Sequence, residues 1–300
     1  MYKKFICLCL VQVAVSSLGD LNNDSPDTLF YEEITIVGAR ETQQGVTGSA
    51  QVIDADQLKR FGHTDIQRIA RQVPGVSIQV EDGYGLRPNI SIRGVATERS
   101  GRITLLEDNV LIAPAPYSAP SAYYFPTAGR MSSFEVLKGP SAITQGPYTI
   151  GGALNMVSTP IPREVEGRIT AEMGQDESVR VHATYGDTSD DGFGFLIETQ
   201  QWRSAGYQKI DRSGRETGLD VADYTLKAAY SPNESPHSLA IKIQLADQTS
   251  NQSYLGLTNV DFNRDAERRY GLSSLDQIRT DHEQVIVRYG YDAEALSFSA

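Results

Sequence analysis

Past Cys9 the chain has no cysteine; Cys7 and Cys9 are the whole complement, and both lie in the first ten residues. Disulfides and thiolate metal sites are thereby excluded from everything downstream. Long hydrophobic runs are missing too. Nothing beyond the amino-terminal stretch approaches about 18 continuous apolar residues, so no membrane-spanning helix is expected. Strands of a membrane barrel would escape that test, because every second residue in them is polar. Cationic residues are in deficit, 27 Lys+Arg against 38 Asp+Glu for a net −11, which argues against general nucleic-acid binding. There is no HExxH, no GxSxG and no P-loop, and His63, His182, His237 and His282 are scattered, so no catalytic constellation is read. Tryptophan is reduced to one residue, whereas 15 Tyr stand beside nine Phe. Tyrosine in an otherwise polar composition suits surfaces half wet and half apolar, such as membrane interfaces.

What is present divides the chain. Lys3 and Lys4, an apolar run from Phe5 to Val15, then Ser16 and Ser17 match the plan of a secretory signal peptide over residues 1–19. Residues 20–44 are polar and read as a disordered leader. Within it stands one β-prone pentapeptide, Glu33, Ile34, Thr35, Ile36 and Val37. An isolated strand seeks a partner edge, and it serves either as the first strand of the next domain or as a peptide added to another protein's sheet.

Residues 49–53 read as a strand. Asp54 with Gln57 three residues on reads as a capping box, and a second helix start is expected at Thr64 with Gln67 at the same distance. Ile66, Ile69, Ala70 and Val73 fall on one helical face, and Pro74-Gly75 ends that helix. A strand comes next, then Ile90-Ser91-Ile92-Arg93-Gly94. The stretch 87–102 reads as loop-like and holds Arg87, Arg93, Arg99 and Arg102. Residues 103–106 and 110–112 flank a hairpin turn at Glu107-Asp108-Asn109. Then comes APAPYSAPSAYYFP, residues 113–126, with Tyr117 and Tyr123. A rigid apolar loop packed on a wall and a ligand-facing apex loop both fit it.

From Arg163 the period becomes two. Val165, Gly167, Ile169, Ala171 and Met173 share one face; Glu164, Glu166, Arg168, Thr170 and Glu172 share the other. Segments 178–185, 222–230, 239–245 and 283–291 repeat the pattern, and 193–199 and 296–300 do so more weakly. One apolar and one wet face per strand fit a soluble sandwich or a membrane barrel. Charged polar faces favour the barrel, and so do connections that alternate between short (174–177, 186–192, 231–236) and long (202–220, 247–282). Tyr185, Tyr230, Tyr289 and Tyr291 near strand ends would form an aromatic girdle.

The stretch FEVLKGPSAITQGPYTIGGALNMVSTP, residues 134–160, puts two strands around a bend punctuated by Gly139-Pro140, Gly146-Pro147 and Gly151-Gly152. It resembles the end of the plug domain in TonB-dependent outer-membrane receptors. The order helix, Pro-Gly-Val, strand, Ile92-Arg93-Gly94 is similar to that family as well, and the resemblance covers residues 33–300. It implies an α+β plug domain over 45–160, followed over 161–300 by the first strands of a transmembrane antiparallel β-barrel, incomplete. Plugged transporters have barrels of 22 strands, whereas the residues after Pro160 suffice for about seven. The expectation is therefore an amino-terminal fragment of a longer receptor, since open sheet edges do not persist in lipid.

The resemblance implies an outer-membrane receptor and no enzyme. Residues 33–37 would be the TonB box, the partner being TonB with its inner-membrane energising complex. With only about a dozen residues between the signal peptide and that pentapeptide, the sigma-regulatory signalling role of some members is not expected. Within the family the likeness is to ferric-citrate receptors, carried by Arg102-Ile103-Thr104-Leu105, Ala113-Pro114-Ala115-Pro116-Tyr117, Glu135-Val136-Leu137-Lys138-Gly139, Gly146-Pro147 with Gly151-Gly152, and the segment 253–276. The expected ligand is a ferric chelate, citrate or a siderophore, with iron carried inside it and no resident cofactor. Arginine suits a carboxylate-rich anion through bidentate bonds. Arg102 matches a plug arginine of that subgroup; Arg99, Arg264, Arg268 and Arg269 are candidates on chemistry, and Tyr117 and Tyr123 would join them. The same scaffold also serves cobalamin and sugars. A secreted β-rich adhesion protein is the alternative of another class; a passive porin lacks such an amino-terminal globule.

Overall fold

The computed structural model describes residues 49–61, 65–79, 81, 83–112, 124–146, 149–233, 235–293 and 296–299. The expected signal peptide, the pentapeptide 33–37, Tyr117 and Tyr123 lie outside the described residues.

Asp54 and Gln57 make the expected reciprocal cap. Gln57 N donates to Asp54 Oδ1 at 2.9 Å, and Asp54 N to Gln57 Oε1 at 3.3 Å. They join β1 (Ser49–Ile53) to α1 (Ala55–Phe61). The second helix, α2 (Ile66–Ala70), is capped by Asp65, one residue after the expected Thr64, with the Asp65 carboxylate accepting from Gln67 N at 2.8 Å. Asp caps as well as Thr and stands directly before the first helical residue. Ile66, Ile69, Ala70 and Val73 are all buried, as the spacing required. Gly75, at φ +82, turns the chain left-handed into β2 (Val76–Gln79), which pairs antiparallel with β3 (Asn89–Ile92). This strand corrects the expectation of a loop over 87–102. Only four residues stand between Arg87-Pro88 and Arg93-Gly94, and those flanks masked it.

β4 (Ile103–Glu107) and β5 (Val110–Leu111) form the expected hairpin, with Asp108 and Asn109 at φ +49 and +63. Two consecutive positive φ values give the turn twist that hairpins favour. β6 (Met131–Lys138) and β7 (Gly152–Ser158) pair antiparallel around the Gly/Pro bend. Five strands make one sheet in the order β1-β6-β7-β4-β5, in which β4 and β7 run parallel. A β-carbon on Gly152 would stand 2.2 Å from the Leu137 carbonyl oxygen. Glycine is thus what lets β7 enter between its neighbours. Ile53, Ile69, Ile103, Leu105, Phe134, Val136, Leu154 and Met156 fill the core of this globule.

The second region is a wall. It comprises β8 (Glu166–Met173), β9 (Val179–Thr188), β10 (Phe193–Ser204), β12 (Leu219–Tyr230), β13 (His237–Ser250), β15 (Ile278–Ala293) and β16 (Leu296–Ser299), each antiparallel to its sequence neighbour in the sheet. Two short strands, β11 (Lys209–Ile210) and β14 (Arg268–Arg269), pair with each other between the long loops. The register lines up whole rows. Gly167, Tyr185, Ile197, Leu226, Ile243 and Val285 are successive cross-strand partners. The adjacent row is Arg168, Thr184, Glu198, Thr225, Gln244 and Gln284. Exposure decides which row faces the globule. Ile197, Leu226, Ile243 and Val285 are 54%, 45%, 38% and 67% exposed, whereas Glu198, Thr225 and Gln244 are 2%, 3% and 0% exposed. Over β10, β12 and β13 the apolar face looks away from the globule and the polar face is pressed against it, whereas β8 is exposed on both faces.

All seven expected strands are present, but several run past their expected ends. β10 continues to Ser204, β13 to Ser250, and β12 and β15 begin at Leu219 and Ile278. The added residues carry polar outward positions such as Arg203, Asp220, Thr249 and Arg279. The apolar alternation stops before the hydrogen-bonded ladder does. Tyr185, Tyr230 and Tyr289 are exposed on the outer face toward the short-turn ends of their strands, and the Tyr289 hydroxyl meets His237 Nδ1 at 2.5 Å.

Candidate functional site

Two of the contacts between the globule and the wall differ in character. At the long-loop end the contacts come from residues 81–102. Tyr84 sets its ring edge-on to Trp202 of β10 (centroids 5.6 Å apart) and to Tyr207 of the loop 205–218 (6.2 Å). Leu86, Trp202, Leu219 and Val221 bury a small apolar cluster there. The Arg87 guanidinium donates to Thr280 Oγ1 at 3.2 Å.

Arg99 and Arg102 lie on one turn that opens β4. Arg99 has φ +52 and Ser100 φ +55, a left-handed pair held by side chains. Asn89 Oδ1 accepts from Arg99 N at 2.8 Å, and Ser100 Oγ accepts from Ile90 N at 2.9 Å. The Arg99 guanidinium donates to Glu81 Oε2 at 2.6 Å and to the Tyr254 hydroxyl at 3.4 Å, with its carbon 5.2 Å from the Tyr254 ring centre. Tyr254 belongs to the loop 251–277. Arg102 is exposed.

The two long loops are tied together beside this turn. Arg268 donates to Asp211 at 3.0–3.2 Å and to Asp261 at 2.7 Å, and sits 5.1 Å over the Tyr270 ring. The Arg268 hydrogen bond holds Asp211 below the usual carboxylate range, and the Tyr270 hydroxyl followed by Thr258 does the same for Asp261. Arg269 is buried and donates to Asn251 O, Ser273 O and Ser273 Oγ. Arg264 ends the helix α3 (Asn259–Arg264) and is exposed. Of the candidate arginines, Arg99 and Arg102 lie three residues apart on one turn, Arg268 and Arg269 are built into the loop frame, and Arg264 lies on the loop surface.

The second contact is sealed. Arg130, with a side chain 0% exposed, donates to both oxygens of Glu107 at 2.7 and 2.9 Å and to Asp223 Oδ2 on β12 at 2.7 Å. Lys242 of β13 donates to Glu107 Oε1 and, at 2.6 Å, to Asp108 Oδ2. Lys227 of β12 reaches Ser158 Oγ at 2.7 Å, and Arg288 of β15 reaches the Asp108 carbonyl. Burial alone would raise the carboxyls of Glu107 and Asp108. The cations beside them, Arg130 and Lys242 for the first and Lys227 and Lys242 for the second, hold both below their ordinary values. Farther along, the buried Glu198 carboxylate accepts from Thr159 at 2.6 Å and meets His182 Nε2 at 2.8 Å. A cavity of about 540 Å³ opens beside it between α1, residues 128–132 and the wall residues Arg168, Arg180, His182 and Gln200.

Glu81, Tyr254, Trp202 and the Glu107–Arg130–Asp223 cluster were not singled out in the sequence. Asp223 was legible only as a wet-face residue of its strand. Nothing local marks Glu81 from a solvated acid or pairs Arg130 with a partner 93 residues away.

Residues 42–153 match the TonB-dependent Receptor Plug Domain. In sequence the chain is similar to a vitamin B12 transporter BtuB of Vibrio vulnificus, 22% identical over 224 residues, 70% of this chain and 35% of that protein. It is also similar to a vitamin B12 transporter BtuB of Photobacterium profundum, 25% identical over 147 residues, 48% of this chain and 23% of that one. In fold it is similar to the ferric citrate transporter FecA in the unliganded form, with TM-score 0.71 and 23% identity over 87% of this chain and 40% of that chain. The ferric yersiniabactin uptake receptor FyuA of Yersinia pestis gives 0.68 and 18% over 82% and 39%. The chain spans well under half the length of each of these proteins. At such identities the structural likeness speaks for the fold: a plug followed by an antiparallel sheet matching part of a receptor barrel.

Proposed function

Because the chain carries the plug and part of the barrel of the TonB-dependent receptors, transporters of the bacterial outer membrane and not enzymes, we propose that it serves TonB-dependent uptake of an anionic ferric chelate. The ligand binds at the long-loop end, against the turn that carries Arg99 and Arg102. Residues 33–37 engage TonB in the periplasm. Pulling on that segment rearranges the plug beside the wall, and the ligand passes along the polar inner face. No bond of the ligand is made or broken; the energy comes from the inner membrane.

The observation that carries the reading is the polarity of the wall. A sheet that buries Glu198, Gln200, Asp223, Lys242 and Gln244 against a globule and exposes Ile197, Leu226, Ile243 and Val285 suits lipid outside and a plugged, hydrated lumen inside. The anionic chelate is supported by the two arginines on one turn, since guanidinium binds carboxylates through paired donors. Cobalamin is the second reading, favoured by the sequence likeness to two vitamin B12 transporters.

Two tests separate these statements. Deleting residues 33–37 in the intact receptor is expected to abolish uptake and spare ligand binding; uptake that survives the deletion rejects the mechanism. Growth of iron-starved, receptor-null cells on ferric citrate and other chelates, set beside growth on limiting vitamin B12, identifies the ligand.

A further inference from the structure

Two of the arginine–carboxylate contacts, one at each end of the plug, differ in setting. Arg130 and its partners are sealed, with side chains 0–1% exposed. Arg99 and Glu81 make an equally short contact with side chains 31% and 22% exposed. The first cannot exchange partners without opening the seam. The second lies within reach of water and of anything dissolved in it.

The pair is also held with care. Asn89 fixes the Arg99 backbone through its carbonyl oxygen, and its amide nitrogen donates to Glu81 Oε2 at 2.7 Å. One oxygen of Glu81 therefore takes a donor from Asn89 and another from Arg99. Two consecutive left-handed residues, Arg99 and Ser100, are held by bonds to Asn89, Ile90 and Pro88. Strained backbone of this kind collects at ligand clamps and switches.

We infer that Glu81 is a resident stand-in for a ligand carboxylate: it occupies the Arg99 guanidinium until a polycarboxylate chelate displaces it, and Tyr254 passes the exchange to the loop 251–277. The inference rests on the uptake reading above and deepens it. A single carboxylate from a ligand only replaces like with like at Arg99. A chelate that presents several carboxylates to Arg99 and Arg102 at once gains over Glu81, because the second contact is made at high effective concentration. A neutral ligand has nothing to trade. When Arg99 turns to the ligand it leaves the Tyr254 ring, 62% exposed, and the loop loses its hold on the plug. Glu81 thus sets a threshold that favours multiply charged chelates, and Tyr254 reports that the threshold has been passed.

The test is binding of radiolabelled ferric citrate and of cyanocobalamin to the receptor in outer-membrane vesicles. Glu81→Gln is expected to tighten ferric citrate binding by roughly three- to tenfold, the scale of one partly exposed ion pair, and to leave cyanocobalamin unchanged. Arg99→Gln weakens ferric citrate, and adding Glu81→Gln to it changes nothing further. A fluorophore placed at Gly256→Cys shifts on ferric citrate addition in the parent and is already shifted in Arg99→Gln. Weaker or unchanged ferric citrate binding in Glu81→Gln, or tightening that persists with Arg99→Gln, overturns the stand-in role while leaving the uptake reading intact. Absence of ferric citrate binding by the parent receptor removes the inference together with the anionic-chelate reading.

Discussion

The five-stranded sheet of the plug and the seven-stranded wall are made from similar amino acids, and they solve opposite problems. β4 and β7 of the plug are buried at every position. Successive residues of β13 are instead alternately exposed and buried through much of its length, with Leu239, Ile241, Ile243 and Leu245 outward and Lys242, Gln244 and Gln248 inward. In the plug, water lies outside and apolar side chains gather within. In the wall the apolar side is the outside, and the inside is filled by a folded domain joined through ions and amides. The difference teaches that period-two alternation reports two unlike faces and stays silent on which of them is interior. The seam between the regions supplies the missing sign, because wet-face wall residues such as Asp223 and Lys242 pair with charged plug residues.

The sharpest way to break that comparison is to empty the seam. Arg130→Met leaves Glu107 and Asp223 buried without their shared cation. It is expected to weaken plug attachment by about 3–5 kcal/mol, the usual cost of a stranded buried charge. Urea-dependent protease access to the plug measures it. Making the partners apolar as well, with Glu107→Leu and Asp223→Leu, should recover much of the loss, since a packed apolar set often matches a buried ion cluster. The outer face comes next. Ile243→Arg is expected to destabilise insertion by about 2–4 kcal/mol, as a cation facing the middle of the bilayer does. Thr249→Arg, beyond the greasy band, should change it by less than about 0.5 kcal/mol. Denaturant titration of the receptor in lipid vesicles distinguishes the two.

Acid sharpens the contrast further. Glu107 and Asp108 are held below their ordinary values in the docked plug. Their contribution is fully present above the unfolded carboxylate range of about pH 4 and is lost as pH falls through the lowered values. These two carboxyls therefore give no fall of the urea midpoint for plug release between about pH 7 and pH 5 and a fall below about pH 4; an early fall between pH 7 and pH 5 contradicts the assignment. The smallest effect belongs to the loops. Arg268→Gln breaks partly exposed pairs to Asp211 and Asp261, so little or no change in global stability is expected, with faster amide exchange confined to residues 205–218 and 251–277.

Much of this architecture could be read from residues alone, for reasons that differ by element. The stripe Ile66, Ile69, Ala70 and Val73 and the Asp54–Gln57 cap are local, and local rules found them. The wall strands were found by alternation, but their ends were not, because that signal measures the lipid band and not the ladder. β3 was hidden between Arg-Pro and Arg-Gly, and Asp65 took the capping place expected of Thr64. FecA and FyuA share this fold and the two sequence relatives are vitamin B12 transporters; a fold does not carry ligand identity, so the ferric-citrate likeness rests on the residues that carry it. The arginine list came from chemistry without distance. It had no means of knowing that Arg99 faces Glu81 and Tyr254, or that Arg268 faces Asp211 across two loops. Glu81 and the Arg130 cluster depend on contacts between residues far apart in sequence, which no spacing rule carries.

The central claim is the direction in which the wall's two faces point, and one scan tests it. The chain has no cysteine after Cys9, so single cysteines at positions 239–245 can each carry a fluorophore in the receptor reconstituted with brominated lipid. The account predicts strong quenching at 239, 241, 243 and 245 and little at 240, 242 and 244. Quenching at the even positions, or equal quenching throughout, would contradict it.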